Sequence, residues 1–164
     1  MNRFAQDGMA VGRLRDNRSR SQRGATMVEV TLIIQLLLIV TFGIVECGRL
    51  MLAYTTLAKA ARAGTRYAMV HGSYRTGSGI DGPSGPGNTG NVMTMVQSLT
   101  TAAGLPVANV TVTDSSAEPM YPDGTNNIGA RVRVKVSYPF SVIVPLVPLP
   151  TMTLVSISEG TICY

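Results

Sequence analysis

The sequence predicts an α+β chain in which a long N-terminal transmembrane and spine helix packs on a small antiparallel sheet. Three observations predict it. Between Gly24 and Gly48 the chain is dominated by Val, Leu, Ile and Met, and Glu29 and Glu46 are its only charges. Helical periodicity then continues past Gly48, with no proline before Pro83. Further on, over 130–138, the apolar period changes from 3.6 to 2, the mark of a half-buried strand.

Residues 1–24 read as a basic leader, rich in Arg, Ser and Gln and expected to be disordered. Of the 14 Lys and Arg, Arg3, Arg13, Arg15, Arg18, Arg20 and Arg23 precede Gly24, against Asp7 and Asp16. Such a tail binds nucleic acid, holds a membrane surface or sets topology. With Phe4 its only aromatic, the topogenic reading outweighs the others, and no nucleic-acid partner is expected. Arg49, Lys59, Arg62 and Arg66 follow the apolar run closely, but long downstream domains translocate largely regardless of such charges. The N-terminus is therefore expected in the cytoplasm and the C-terminal head outside the inner membrane.

The anchor covers 25–48. At 1.5 Å per residue it spans roughly 35 Å, enough to cross a hydrocarbon core of ~30 Å with some tilt. A cleaved secretory signal would have a shorter apolar region, about 7–15 residues, ending in a small-residue site. This run is longer and passes directly into more helix-forming sequence. A single-pass anchor in the lipid bilayer is the better reading. Glu29 lies just inside the run, where a carboxylate either sits at headgroup depth facing the positive helix end or needs a partner.

Residues 49–71 continue the helix as an amphipathic half. Leu50, Tyr54, Leu57, Ala61 and Ala68 fall on one face, and Thr55, Lys59, Arg62 and Arg66 on another. One helix over about 26–70 is expected, ending at His71 and Gly72, where His71 caps the helix or meets solvent. The external head, 72–164, opens with a Gly/Pro-rich loop at 72–91. That loop contains G-x-G-x-x-G at Gly77, Gly79 and Gly82, but no strand precedes it and Pro83 follows, so a dinucleotide site is not expected. A short helix is predicted over 92–103, capped by Asn91, with Val92, Met95, Val96 and Leu99 inward and Gly104 and Pro106 as its stop. Strands are predicted over 107–113, 130–138 and 151–158. Asp114, Glu118 and Asp123 lie in the loop between the first two, spaced too irregularly for a calcium loop. Pro139, Pro145, Pro148 and Pro150 punctuate an apolar connector.

The two cysteines, Cys47 and Cys163, do not make a disulfide framework, and a bond between them would bring the chain end back to the membrane face. No G-x-S-x-G, C-x-x-C, P-loop or zinc-ligand spacing is present, so neither an enzyme, a metal nor a cofactor is expected. Asn109-Val110-Thr111 has the form of a glycosylation sequon but reads as ordinary strand sequence.

The stretch R-G-A-T-M-V-E-V, with F-G-I-V-E-C-G-R-L-M-L-A-Y-T-T-L-A-K-A-A-R-A-G-T-R-Y-A, resembles the TadE family over residues 22–71. These are minor pilin-like (pseudopilin) proteins of tight-adherence (Flp-type IVb) pilus systems. The resemblance implies cleavage between Gly24 and Ala25 by a membrane prepilin peptidase, leaving Glu29 fifth from the new N-terminus. It also implies that Glu29 acts in assembly, with other pilin-like subunits and the pilus assembly machinery as partners. Gln35 stands where family members often carry Pro, and Val30 where they often carry an aromatic. Two readings follow: a pilin-like subunit assembled through its apolar spine, or a permanently anchored single-pass protein whose external head binds a partner or surface. An uncleaved N-terminus would favour the second.

Overall fold

The structure, a computed structural model, describes residues 7–143 and 150–163, with side chains from Gly24 onward. Residues 1–6, residues 144–149 of the apolar connector, and Tyr164 lie outside the described residues. The chain divides into two compact units, 1–45 and 46–164, taken here in turn.

A helix of 64 residues, α1, runs from Asp7 to Val70. It starts upstream of the predicted start near residue 26, so 7–23 is helical where disorder was expected. The segment holds no proline, and Arg, Ala, Met, Leu and Gln propagate a helix once a neighbouring turn supplies the nucleus. From Gly24 to Val45 the helix is apolar on all sides, and every residue from Gly24 to Phe42 is exposed. Thr31 and Thr41 donate their hydroxyls to the carbonyls of Met27 and Leu37, each at 2.8 Å, so neither leaves a free donor on this surface.

The second unit combines the rest of α1 with a helix α2 (Gly90–Ala102) and three strands, β1 (Thr111–Thr113), β2 (Arg131–Phe140) and β3 (Met152–Thr161). The sheet is antiparallel in the order β1-β2-β3. The predicted alternation in β2 holds: Val132, Val134 and Val136 are fully buried, while Arg131, Arg133 and Lys135 take the opposite face. Their core partners are Leu57, Ala60, Ala61 and Ala68 of α1, Val92 and Val96 of α2, and Met120, Tyr121 and Ile162.

Several boundaries and faces differ from the sequence expectation. Tyr54 is 51% exposed, and the buried stripe of α1 is set by Ala53, Leu57, Ala60, Ala61 and Ala68 instead. Small residues win the stripe because they let neighbouring elements approach; a tyrosine would hold them apart. Residues 107–109 form a 3₁₀ turn after Pro106 rather than the start of a strand, closed by Val110 N–H donating to Val107 O at 3.0 Å. Helix α2 begins at Gly90, and Asn91 does not cap it; its Nδ2 donates to Gly79 O at 2.7 Å and pins the preceding loop. Leu99 lies at the exposed margin, while Val92, Val96 and Thr100, spaced four apart, make the inner face. Strand β2 passes through Pro139, beyond the last β1 partner, Ser137, so the missing N–H removes no bond from that ladder. Strand β3 extends to Thr161, held by its full pairing with β2.

Two glycines fix how closely the layers meet. A Cβ at Gly64 would stand 2.7 Å from Val96 Cγ2 and 3.3 Å from Val134 Cγ1. At Gly160, on β3, it would stand 2.5 Å from Met69 Sδ and 2.9 Å from Thr65 Cγ2. Helical propensity alone would make Gly64→Ala stabilising by ~1 kcal/mol, but overpacking a filled core costs ~1–3 kcal/mol. Valine 96 is short and stiff, so its helix must move. Gly64→Ala is expected to lower stability by about 1 kcal/mol, and Gly64→Val by more, read from denaturant unfolding in detergent; a stabilised Gly64→Ala would refute the close-packed layer.

Candidate functional site

The apolar segment carries the sequence-predicted site residues Gly24, Ala25 and Glu29, all exposed on one continuous helix. A helix apolar on every side gains nothing from water; each large side chain transferred to an apolar setting contributes about 1.5–3 kcal/mol. The segment Gly24–Val70 is long and apolar enough to cross a membrane. On it, the carboxylate of Glu29 and the amide of Gln35 have no side-chain partner among the described residues, and Met27, Val28, Val30 and Ile33 surround Glu29 in sequence and are exposed. A carboxylate on such a surface, once removed from water, must be protonated, paired or held at headgroup depth.

The second acidic residue of the run, Glu46, is placed quite differently. It opens the second unit and is already satisfied there. Arg49 donates to both of its oxygens, at 2.7 and 2.9 Å, and Ile143 N–H donates to Oε1 at 3.0 Å. The Arg49 guanidinium carbon in turn lies 5.4 Å from the centroid of the Phe140 ring, a cation–π arrangement. This clasp ties the far end of β2 to α1. Its helical half is legible in the i, i+3 spacing of Glu46 and Arg49, but its long-range half is not.

The head's titratable groups serve structure. Asp114 accepts Met120 N–H at 3.0 Å, Glu118 pairs with Lys135, and Asp123 pairs with Arg131 at 2.8 Å, so the three loop carboxylates each serve a different partner. Arg133 pairs with Glu159 across β2 and β3. The bonds from the Arg131 side chain and then its N–H hold the Asp123 carboxyl below the usual carboxylate range. Burial, opposed by its bond to Ser84 Oγ at 2.9 Å, pushes the Tyr121 hydroxyl up. Burial and the charge of Asp81 do the same to Tyr67, against a smaller effect of Arg75.

His71 closes α1. Its ring stacks on Tyr67 at 3.9 Å, with Nδ1 2.8 Å from Tyr67 O. Ser84 N–H reaches His71 O at 2.6 Å, and Asn126 Nδ2 reaches Ser84 O at 3.0 Å, so the Gly/Pro-rich loop is tied to the helix end. Gly77, Gly79 and Gly82 surround a 3₁₀ turn, Gly79–Asp81, with no strand before it. Cys163 N–H donates to Met69 O at 3.0 Å, which holds the chain end about 33 Å along the helix from Cys47; both thiols are free.

Residues 24–66 match the family model described as TadE-like protein. The match bears out the resemblance on the anchor and on the helix that follows it, and it includes none of the sheet. No curated protein and no solved structure matches the chain.

Removing the carboxylate in Glu46→Ala should cost the head about 0.5–1.5 kcal/mol and speed amide exchange at Ile143. Unchanged exchange there would show that the clasp does not hold the connector. Acid should loosen a different point. A carboxyl lowered by folding stabilises above its unfolded value of ~3.9 and loses that contribution as pH falls through the folded one. Protection of the Arg131 amide, taken relative to the intrinsic exchange rate at each pH, should therefore fall below about pH 4 before that of Val134.

Proposed function

We propose that this chain is a membrane-anchored minor pilin-like (pseudopilin) subunit of a tight-adherence pilus system, inserted through the helix that matches the TadE-like model. The observation that carries this reading is an exposed, predominantly apolar helix segment whose carboxylate Glu29, five residues after Gly24, has no side-chain partner among the described residues. In the proposed course, a prepilin peptidase cuts between Gly24 and Ala25, removing the Arg-rich leader that keeps the N-terminus cytoplasmic. The head remains outside the bacterial inner membrane.

Cleavage leaves a free ammonium on Ala25, about one helical turn from Glu29. When neighbouring spines pack together outside the bilayer, the ammonium of one neutralises Glu29 of the next. An unpaired charge is costly in that low-dielectric bundle, so the pair selects register more than it adds stability. Glu46 does not compete for this role, because Arg49 and Ile143 already engage it. The reading is structural rather than catalytic, and its partners are other pilin-like subunits and the assembly machinery.

Mass spectrometry of the native N-terminus and piliation of two variants test it together. Native protein should begin at Ala25, and a bulky residue at Gly24 should leave the longer precursor. Glu29→Val should insert in the membrane at normal levels yet abolish co-purification with other subunits and surface piliation. Native protein that keeps Arg23, or normal piliation with Glu29→Val, would favour a permanently anchored protein with an external binding head.

A further inference from the structure

Three cations of the second unit face outward from one side of α1 with nothing bound to them. Lys59, Arg62 and Arg66 are exposed. At about 100° per residue they fall within about 60° of one another, opposite the buried Leu57, Gly64 and Ala68, in a row about 10 Å long. None of the three makes a hydrogen bond or ion pair among the described residues. Every other Lys and Arg of this unit is bonded. Arg49 holds Glu46, Arg75 donates to Asp81 O, and Arg131, Arg133 and Lys135 each pair with a carboxylate.

The row breaks a local rule without a gain inside the chain. Like charges three and four residues apart repel on a helix. The helix dipole favours cations only in the last turn, which holds no basic residue. No Asp or Glu occurs from Cys47 to Ile80 to offset the three. On the same side of the helix, exposed Met51 and Leu52 precede the row and exposed Val70 follows it. Such a strip offers apolar area at its ends and calls for carboxylates at its centre. We propose that this row docks an acidic amphipathic helix of a second, different protein, whose carboxylates recur at the i, i+3, i+7 spacing of Lys59, Arg62 and Arg66.

Charge decides the occupant. A second copy presents the same three cations, and its Glu46, Glu118, Asp123 and Glu159 are already paired with its own bases. Two such rows repel, so the face selects against self-association as well as for an acidic partner. A membrane surface fits less well. A helix bound there sinks a broad apolar face into lipid, and the apolar face of this segment already packs in the core with β2 and α2. Two of the three cations are arginines, whose planar fork takes a carboxylate through two parallel bonds.

The proposal depends on neither cleavage, Glu29 nor piliation. It is tested on the full chain in neutral detergent micelles, by fluorescence anisotropy of two designed helical peptides. One carries Glu at i, i+3 and i+7 of one face, with leucines before and after them. The other has the same residues reordered, so that its glutamates spread around the helix. The first should bind at least about tenfold more tightly, and rising salt should weaken it.

Arg62→Gln with Arg66→Gln should weaken the first peptide about tenfold or more. Ser116→Asp with Ala117→Glu changes the net charge equally, from the loop whose Glu118 reaches Lys135 on the outer face of the sheet. That variant should alter binding less than about twofold. Arg62→Glu should lose the first peptide and regain affinity for a version whose central Glu is Lys. Equal affinity for the two peptides, or equal loss in both double variants, would reduce the row to diffuse positive charge and overturn the proposal. Phosphatidylglycerol mixed into the micelles that shields Arg62 and Arg66 from phenylglyoxal, where the first peptide does not, would overturn it in favour of lipid. Matching thermal unfolding of the variants and the native chain excludes a folding artefact.

Discussion

The head depends on how closely α1 can approach what lies over it. A stripe of Ala53, Ala60, Ala61, Gly64 and Ala68 leaves almost no side chain between the helix backbone and the valines of β2 and α2. Gly64 admits Val96, and Gly160 admits Met69 and Thr65 from the other side. The gain is in dispersion and in apolar area removed from water, which grow as the layers close up. A chain with three phenylalanines and no tryptophan can fill a core this way only if the layers are tight. Hence small residues recur where larger ones would otherwise be expected.

The same helix meets opposite demands in its two parts. From Gly24 to Val45 it exposes aliphatic side chains on all sides, and the hydroxyls of Thr31 and Thr41 are satisfied by its own carbonyls. From Glu46 onward it carries one buried stripe, with Lys59, Arg62 and Arg66 on exposed positions. The two acidic residues at the borders of the apolar run divide accordingly. Glu46 is neutralised within the chain, where its carboxylate also receives the backbone of the hairpin connector. Glu29 has no such arrangement among the described residues. That difference, more than sequence position, separates the two carboxylates.

Polar groups in the head are used to tie down irregular backbone. Ser84 receives Tyr121 and its carbonyl receives Asn126, while Asn91 and Tyr67 reach Gly79 and Ile80. A loop too rich in Gly and Pro to make a ladder must satisfy its carbonyls in this piecemeal way. The ion pairs Arg131–Asp123, Arg133–Glu159 and Lys135–Glu118 cover the outer face of the sheet, where solvent limits each to a modest contribution.

The sequence by itself determined the elements whose signals are local and periodic. The apolar run, the continuation past Gly48, the alternation of β2, and the end of the spine at Val70 could all be read from residue spacing, and so could the resemblance around Gly24 and Glu29. What it could not supply were features set by partners distant in the chain. Tyr54 and Leu99 sit at positions allowed on a buried face, yet smaller Ala53 and Thr100 are buried because of what packs against them. Asn91 looks like a cap but is claimed by Gly79, and strand β3 is lengthened by its pairing with β2. The clasp of Glu46 with Ile143 joins residues 97 positions apart. Propensity and periodicity report a residue's preference over a few turns, while burial and bonding depend on which surfaces the folded chain brings together. Only the tertiary structure decided those.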